Sequence, residues 1–412
     1  MVLAERAGLG ARVAWEAFEV ERGLATSKER PVRTASQGPT VRTAWMAPSS
    51  FMNRPDRIND GPTGLSPRYE AISQQLTAAV YQFGLDGSIT NRRFLLLAKT
   101  GLLAGAFARL PRRFSAINYD GLPFQWFLSL ATDGSRRFGF LADVGEPRMT
   151  IAERIMATRE ALRELVGAGS LGDIRLDSTL NALLPPSAEL EHTLMGLCVA
   201  TDLLDQAAPI KVYANQSVGQ RAERFRRFYH ALEILGHSRA AAQIEATRDA
   251  SPVDLTPLYA SFDVSAEGIG RIKLYSRLHE AAPDQIGLIA EALGVSDAAH
   301  RLRLLHAVFM SGSSYPSAAV DICIELEPSR GTFGFKVDLD IMRLGLNEEV
   351  AHFALLELLS HLNLPSRPYI NLRELVKAGL DPVTHHLLFV SMALRRGGEA
   401  VGAYFHPLGI KL

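Results

Sequence analysis

Cysteine is scarce in this sequence: 412 residues contain only Cys198 and Cys323, each inside an apolar run and far from the other. Two cysteines can build neither a disulfide framework nor a cysteine-rich zinc site, so the composition favours a reducing compartment. No run of about 18 apolar residues occurs, which argues against a membrane-spanning helix. The first residues also lack the apolar centre of a secretion signal. We therefore expect a cytoplasmic protein with no membrane partner.

An excess of either charge is also lacking, since Lys and Arg together number 44 and Asp and Glu together number 44. Without a net positive field, the chain is not expected to bind nucleic acid or an anionic membrane. Any basic binding site must therefore be local. The hydrophobic content of 47% allows a substantial core, and closed barrels often exceed the usual length of one domain.

Common phosphate and metal motifs are missing or incomplete. The sequence has no G-x-x-x-x-G-K-[ST] loop. His385 and His386 are adjacent, so on a strand they would face opposite ways and could not bind one metal together. Asp202 and Asp205 form a D-x-x-D pattern without a partner motif, which is more typical of a hairpin turn than of a magnesium site. We expect no metal site and no cofactor, and any magnesium requirement to be non-essential.

Residues 1–68 differ in composition from the rest of the chain. Ser, Thr, Pro, Arg and Gly dominate from about residue 25 to residue 68, and such a segment cannot bury enough apolar surface to order itself. We interpret residues 1–68 as a flexible N-terminal segment or tail and residues 69–412 as one folded domain. Met46 and Met52 are alternative start sites, so translation of residues 1–45 stays open.

From residue 114 onward, two strand-like runs and then a helical pattern repeat along the chain. The paired runs lie at 114–130 and 136–142, 194–203 and 209–215, 257–264 and 270–276, 319–326 and 333–340, and 386–395 and 400–406. Capping boxes predict helix starts at Thr150 with Glu153 and at Ser217 with Gln220, and Gly236 should end the second helix. Five hairpins with intervening helices predict an α+β fold, a closed ten-stranded antiparallel barrel of five ββ units surrounded by helices.

Five of the predicted strands have one apolar face and one face with cations and tyrosines. Successive residues of a strand point to opposite faces, so Ile272 and Leu274 oppose Arg271, Lys273 and Tyr275. The other polar-face residues are Arg137, Lys211, Tyr213, Lys336, Asp338, Tyr404 and His406. One such strand is typical of a solvated sheet. Five of them, each near an amphipathic helix, favour apolar faces under outer helices and a polar, cation-lined lumen that binds a ligand.

Cations interspersed with tyrosines suit a diphosphate that is joined to a group able to form a carbocation. Arg and Lys donate charge-assisted hydrogen bonds to phosphate oxygens. Tyrosine rings stabilise a cation through their π faces, and a closed barrel excludes the water that would quench it. Fixed positive charge around the leaving group lowers the barrier to its departure.

The segments PIKVYANQ, with Lys211 and Tyr213, and GRIKLYSR, with Arg271, Lys273 and Tyr275, resemble strands of the aromatic prenyltransferase barrels, also called ABBA or PT barrels. The similarity is greatest to the dimethylallyltryptophan synthase group, especially its bacterial indole prenyltransferases. The segment GLPFQWFLSLATDGSRRFGFLADVGEP resembles that group's first hairpin, and GTFGFKVDLDI and AVGAYFHP resemble its eighth and tenth strands. The resemblance covers about residues 110–412.

This resemblance implies a site and a reaction. The diphosphate would be bound by Arg137, Lys211, Arg271, Lys273 and Lys336, and the cation would be shielded by Tyr213, Tyr275 and Tyr404. The implied enzyme transfers a dimethylallyl or similar short isoprenyl group from its diphosphate to an electron-rich aromatic acceptor in secondary metabolism. An indole or tryptophan in a small molecule or peptide is the leading acceptor, and a phenolic ring is second. The alternative is a non-catalytic barrel that binds an anionic metabolite.

The sequence departs from the group at Gln125, where many indole prenyltransferases have a glutamate that accepts the indole N–H proton. Gln125 can hold an N–H group through its carbonyl but cannot take a proton at neutral pH. We expect Gln125 to face and orient the acceptor. Either the acceptor is not a simple tryptophan, or another carboxylate accepts the proton. The candidate carboxylates are Asp120, Asp263, Asp321 and Glu325.

Overall fold

The computed structural model describes residues 115–411 with gaps at 121, 146–148, 167–171, 192, 206, 378–383 and 396–397, together with a few positions between 71 and 93. The segment 1–68, expected to be flexible, lies outside the described residues. Its boundary with the folded domain therefore stays a prediction.

Ten antiparallel strands form a closed barrel in which each strand pairs with its neighbours in sequence and β1 pairs with β10. The strands are β1 Phe124–Ala131, β2 Arg136–Ala142, β3 Leu197–Asp202, β4 Ile210–Asn215, β5 Leu255–Ser265, β6 Gly268–Leu278, β7 Val320–Glu327, β8 Thr332–Asp340, β9 Thr384–Arg395 and β10 Gly398–Lys411. The predicted ten-stranded barrel of five ββ units is confirmed. Closure leaves no unpaired edge strand.

Helices occupy the connections between successive hairpins. Those in the described residues are α1 Ile151–Val166, α2 Gly172–Leu183, α3 Ser187–Leu190, α4 Arg221–Ile234, α5 Ser238–Asp249, α6 Pro283–Ala292, α7 Ala298–Phe309, α8 Glu348–His361 and α9 Arg367–Lys377. They pack against the outside of the barrel, for example α1 on β3, α8 on β9, and α9 on β1 and β10. Within the described part of the chain, no helix has both the length and the apolar character needed to cross a membrane.

Two local predictions are confirmed. The N–H of Thr150 donates to the Glu153 carboxylate at 2.7 Å, and the N–H of Glu153 donates to Thr150 Oγ1 at 3.2 Å, which is the expected capping box before α1. Asp202 and Asp205 each accept a backbone N–H two residues further on in the β3–β4 connection. They therefore serve as turn residues, as the short spacing indicated.

The capping box predicted at Ser217 is wrong. Helix α4 begins at Arg221, and its N-cap residue Gln220 makes no capping hydrogen bond with its side chain. The hydroxyl and the backbone N–H of Ser217 both donate to Asn215 Oδ1, at 2.7 and 2.8 Å, and so close a turn after β4. The sequence pattern assigned the Ser217 hydroxyl to the helix cap, but this hydroxyl forms its hydrogen bond at the end of β4 instead.

The predicted first strand, 114–130, is also too long at its N-terminal end. β1 begins at Phe124, and the preceding residues form turns. The side-chain amide of Asn118 donates to the carbonyls of Leu122 and Phe124, at 2.7 and 2.6 Å. These bonds fold the chain back on itself before the strand starts.

The outward face of the barrel is apolar and contributes to one core with the helices. On β1 and β2, the rings of Trp126 and Phe138 stack with centroids 5.2 Å apart. Phe83 stacks on Phe138 at 4.0 Å, and the indole N–H of Trp126 donates to Gln75 Oε1 at 3.1 Å. Successive residues of a strand point to opposite faces, so the residues next to Trp126 on β1 and next to Phe138 on β2 face the lumen.

Candidate active site

Four of the predicted diphosphate ligands lie together near the hairpin turns at one end of the lumen. We call these residues and the carboxylates next to them the hairpin-end cluster. Its cations are Arg137, Lys211, Arg271 and Lys273, and its carboxylates are Asp202, Asp263 and Glu325. In this cluster Arg271 Nη2 lies 2.7 Å from Asp263 Oδ2, and Lys273 Nζ lies 2.8 Å from Glu325 Oε1. Arg137 is 3.9 Å from Asp202 and remains partly exposed. Strand register causes this grouping, since Lys211 is opposite Asp263 and Lys273 is opposite Glu325.

Lys211 differs from the other cations of the cluster. None of the described carboxylates forms an ion pair with its ammonium, which lies 5.2 Å from the centre of the Phe127 ring. Burial and then the nearby Lys273 hold the pKa of Lys211 well below its ordinary value, although Asp263 opposes them. The site is therefore short of negative charge at this position, and a bound anion would supply it.

Glu325 is shared between two cations. Besides Lys273, Arg395 at the end of β9 approaches Glu325 at 3.1 Å. Burial alone would raise the pKa of Glu325, but Lys273, Arg395 and Arg271 outweigh it and hold the pKa well below its ordinary value. Arg395 was missed by sequence reasoning. The only signal in the sequence was strand parity: Arg395 is four residues after Ser391 and therefore has the parity of the lumen-facing residues of β9.

The three predicted tyrosines form a layer next to the hairpin-end cluster. The rings of Tyr213 and Tyr275 have centroids 5.8 Å apart. Lys336 lies in the same layer, with Nζ 4.9 Å from the centre of the Tyr275 ring and 5.6 Å from that of Tyr404. Burial raises the pKa of all three phenols, so they are neutral near pH 7. The structure therefore places Lys336 among the tyrosines and apart from the other four predicted diphosphate ligands.

Two aromatic residues of this layer were not singled out from the sequence. Phe127 on β1 and Phe389 on β9 have ring centroids 6.4 and 6.5 Å from that of Tyr404. Phe127 has the same strand parity as Gln125, which was the one signal available. Together with the three tyrosines, these rings line the lumen with π faces suited to a cation.

Gln125 lies on the lumen face of β1, opposite Leu141 of β2, while its neighbour Trp126 packs outward. Its amide Nε2 is buried and has no hydrogen-bond partner among the described residues. A buried donor without a partner is costly, so this amide is suited to bind a polar group of a ligand.

The four candidate carboxylates all have partners. Asp120 lies outside the strands and is 3.0 Å from His406 Nε2. Asp263 and Glu325 belong to the hairpin-end cluster. Asp321 forms two hydrogen bonds with Arg277, at 2.7 and 2.8 Å. In the described part of the chain, no group of three or more His, Cys, Asp or Glu side chains is arranged to hold a metal ion.

Comparison with known proteins gives matches among solved structures. No family model and no curated protein matches the chain. A 6-dimethylallyltryptophan synthase from Micromonospora olivasterospora, in complex with DMASPP and Trp, is 17% identical, with 84% of this chain and 99% of that chain covered and a TM-score of 0.72.

Two further structures agree with this match. A 5-dimethylallyl tryptophan synthase from Streptomyces coelicolor, in complex with DMASPP and Trp, is 18% identical over 84% of this chain and 96% of that one, with a TM-score of 0.69. The prenyltransferase PriB, in a ternary complex with L-tryptophan and dimethylallyl thiolodiphosphate, is 17% identical over 83% and 97%, with a TM-score of 0.67. The resemblance to the aromatic prenyltransferase barrels is thus confirmed in the fold, and the chain has the closed barrel of the dimethylallyltryptophan synthases.

Proposed function

We propose that this protein is an enzyme that transfers a dimethylallyl or similar short isoprenyl group from its diphosphate to an electron-rich aromatic acceptor. The observation that carries the proposal is the position of Lys211. This cation of the hairpin-end cluster lacks an ion-pair partner among the described residues and lies next to the Phe127 ring, where the cluster meets the aromatic residues of the lumen. The diphosphate of such a donor would bind the cations of the cluster, and its allyl group would lie against the aromatic rings.

In the proposed reaction, the diphosphate binds among Lys211, Arg137, Arg271 and Lys273. Negative charge develops on the diphosphate as the bond to the allyl carbon breaks, and fixed cations stabilise it. The allyl cation then lies against the neutral rings of Tyr213, Tyr275 and Tyr404. Phenolate rings would be alkylated by this cation, so the raised pKa values of the tyrosines favour transfer to the acceptor.

An indole, in a tryptophan-containing small molecule or peptide, is the acceptor that we favour. Two features support it: the position of Gln125 on the lumen face of β1, where its carbonyl oxygen is able to accept a ring N–H, and the tryptophan present in the structures of similar fold. A phenolic acceptor is second, because its oxygen could accept a hydrogen bond from the buried Nε2 of Gln125. We further propose that the reaction belongs to secondary metabolism, takes place in the cytoplasm and needs no metal cofactor.

The test is turnover of dimethylallyl diphosphate by the purified protein with a panel of indoles, including L-tryptophan and tryptophan-containing dipeptides, and of phenols. A product heavier by one dimethylallyl group is expected with at least one acceptor, with and without a metal chelator. The matched control is Arg271→Ala, which removes a cluster cation without changing the tyrosines. Binding of inorganic diphosphate without turnover of any acceptor would instead support the non-catalytic barrel.

A further inference from the structure

A buried ion pair lies within the tyrosine layer. Lys336 Nζ is 2.7 Å from the Asp338 carboxylate, and both residues are on the lumen face of β8. The ring of Tyr404 lies 5.6 Å from Lys336 Nζ, and Ser391 of β9 is opposite Asp338. A carboxylate is thereby held next to the rings that would surround the reacting groups.

The proposed reaction requires a proton acceptor at that place. When an aromatic carbon attacks the allyl carbon, the ring becomes positively charged and keeps its hydrogen at the attacked position. The C–H bond must then break, its electron pair must return to the ring, and a base must take the proton. Gln125 cannot do this at neutral pH, because an amide does not accept a proton.

The other carboxylates that face the lumen are less suitable. Asp263 and Glu325 lie in the hairpin-end cluster, and the cations beside them hold both pKa values below the ordinary range. Asp321 is fixed by two hydrogen bonds from Arg277. Burial raises the pKa of Asp338 even with Lys336 beside it. Burial also raises the pKa of Asp202 and Asp340, but Asp202 lies in the hairpin-end cluster and Asp340 is bound by Tyr119 and Arg343 at the end of β8. A carboxylate with a raised pKa is the better proton acceptor.

Resting on the proposed function, we propose that Asp338 is the catalytic base that takes the proton from the alkylated ring. Lys336 is a positioning residue: its ammonium binds the carboxylate at 2.7 Å and itself lies 4.9 Å from the centre of the Tyr275 ring and 5.6 Å from that of Tyr404. The proton moves from the ring carbon to Asp338, the aromatic ring is restored, and the carboxylic acid returns its proton to water when the products leave. No other reactant is required.

The test uses an acceptor from the panel above, deuterated at its ring carbons, with dimethylallyl diphosphate labelled at the bridging oxygen. In the wild type, deprotonation by Asp338 is expected to be fast and to show no primary isotope effect. Asp338→Asn should lower turnover by about 10²–10⁴-fold, the usual contribution of a general base. It should also introduce a primary isotope effect and move the label into non-bridging positions, because the alkylated ring reverts. Asp338→Glu should restore part of the rate.

Two variants separate this role from a structural one. The double variant Lys336→Gln/Asp338→Asn removes both charges, so no unpaired charge is buried, and it should show the same isotope effect. Asp321→Asn, on the neighbouring strand, should show none. The assignment of the base would be overturned if Asp338→Asn or the double variant kept the wild-type turnover. It would also be overturned if either variant was slowed without an isotope effect. Absence of product from the wild type would overturn the proposed function itself.

Discussion

The protonated form of Lys211 is disfavoured at its position in the lumen. Its replacement should therefore weaken binding of the donor but stabilise the free protein. In Lys211→Met, the loss of a charge-assisted hydrogen bond should cost about 1.5–3 kcal/mol, which weakens the affinity for dimethylallyl thiodiphosphate about ten- to hundred-fold. Lys336→Met should cost less, because Asp338 already neutralises that charge. Isothermal titration calorimetry of both variants measures the difference, and equal losses would contradict the separation of Lys336 from the cluster.

The same substitution should raise the melting temperature. The pKa of Lys211 is lower in the folded protein than in the unfolded chain, because burial and Lys273 disfavour its protonated form. Below the unfolded pKa, the unfolded chain binds this proton more readily, so the charge reduces the free energy of unfolding. Lys211→Met removes this cost, and thermal unfolding at neutral pH without ligand should show a higher Tm than the wild type.

Binding of the donor should be accompanied by proton uptake. A bound diphosphate raises the pKa of Lys211 from its depressed value, so the complex holds more protons than the separate partners. The affinity should therefore fall as the pH rises through the interval between the free and bound pKa values of Lys211. Calorimetry at one pH in buffers of different ionisation enthalpy measures the uptake. Lys211→Met controls for protons exchanged by the diphosphate, and an unchanged uptake in that variant would refute the prediction.

Gln125 should orient the acceptor without taking its proton. Gln125→Ala should mainly raise the KM for the acceptor or change the position of prenylation, and should leave the donor affinity unchanged. Gln125→Glu should be tolerated by small indoles and can increase their turnover, because a carboxylate polarises the N–H group more strongly. Steady-state kinetics with both substrates, together with the identity of the products, would check this. A loss of donor affinity in either variant would place Gln125 elsewhere in the mechanism.

Strand parity was enough to predict the lumen-facing residues whose polar and apolar neighbours alternate strictly, such as Lys211 and Lys273. It could not predict which of them meet, because contacts between strands depend on register and on the closure of the barrel. The approach of Arg395 to Glu325 joins β9 to β7 across β8. No pattern within one strand encodes such a contact, and this is why the pairing of Arg395 with Glu325 was missed.

The caps of α1 and α4 show when a sequence motif predicts a helix start. Thr150 and Glu153 satisfy each other, whereas Ser217 bonds to Asn215 and leaves α4 without a side-chain cap. Thr150→Ala should therefore reduce the free energy of unfolding by about 0.5–2 kcal/mol. Gln220→Ala, at the N-cap of α4, should change it by less than about 0.5 kcal/mol. Equilibrium unfolding in urea measures both, and similar losses would show that the Thr150 cap contributes nothing specific.

The count of five hairpins predicted the closed barrel, since closure of a ten-stranded sheet pairs its two edge strands with each other and leaves no edge open. The exact strand ends did not follow. β10 extends to Lys411, well beyond the predicted end at residue 406, and a register shift between Phe405 and Ile410 separates its two parts. Pro407 lies in this irregular stretch and has no N–H to donate to a ladder, so the sequence there gave no continuous strand signal.

This irregular part of the sheet contains histidines that are buried in the neutral form. His386 Nδ1 is 3.2 Å from the carbonyl of His406, and its Nε2 is 2.9 Å from Thr384 Oγ1. Burial lowers the pKa of His386 to about 4. His352 on α8 bonds with the hydroxyl of Tyr369 at 2.9 Å, and burial also lowers its pKa to about 4.

These histidines should make the whole barrel less stable in mild acid. The unfolded chain takes up protons on both residues below about pH 6.5, the ordinary histidine value, while the folded protein does so only near pH 4. The free energy of unfolding should therefore fall as the pH decreases from about 6.5 to 4. In His386→Asn the amide can still donate to the carbonyl of His406 but cannot be protonated, so the fall should be shallower. His361→Asn, at a position that is 50% exposed, is the matched control and should leave the slope unchanged. Thermal melts across this pH range would contradict the prediction if all three proteins lost stability in parallel.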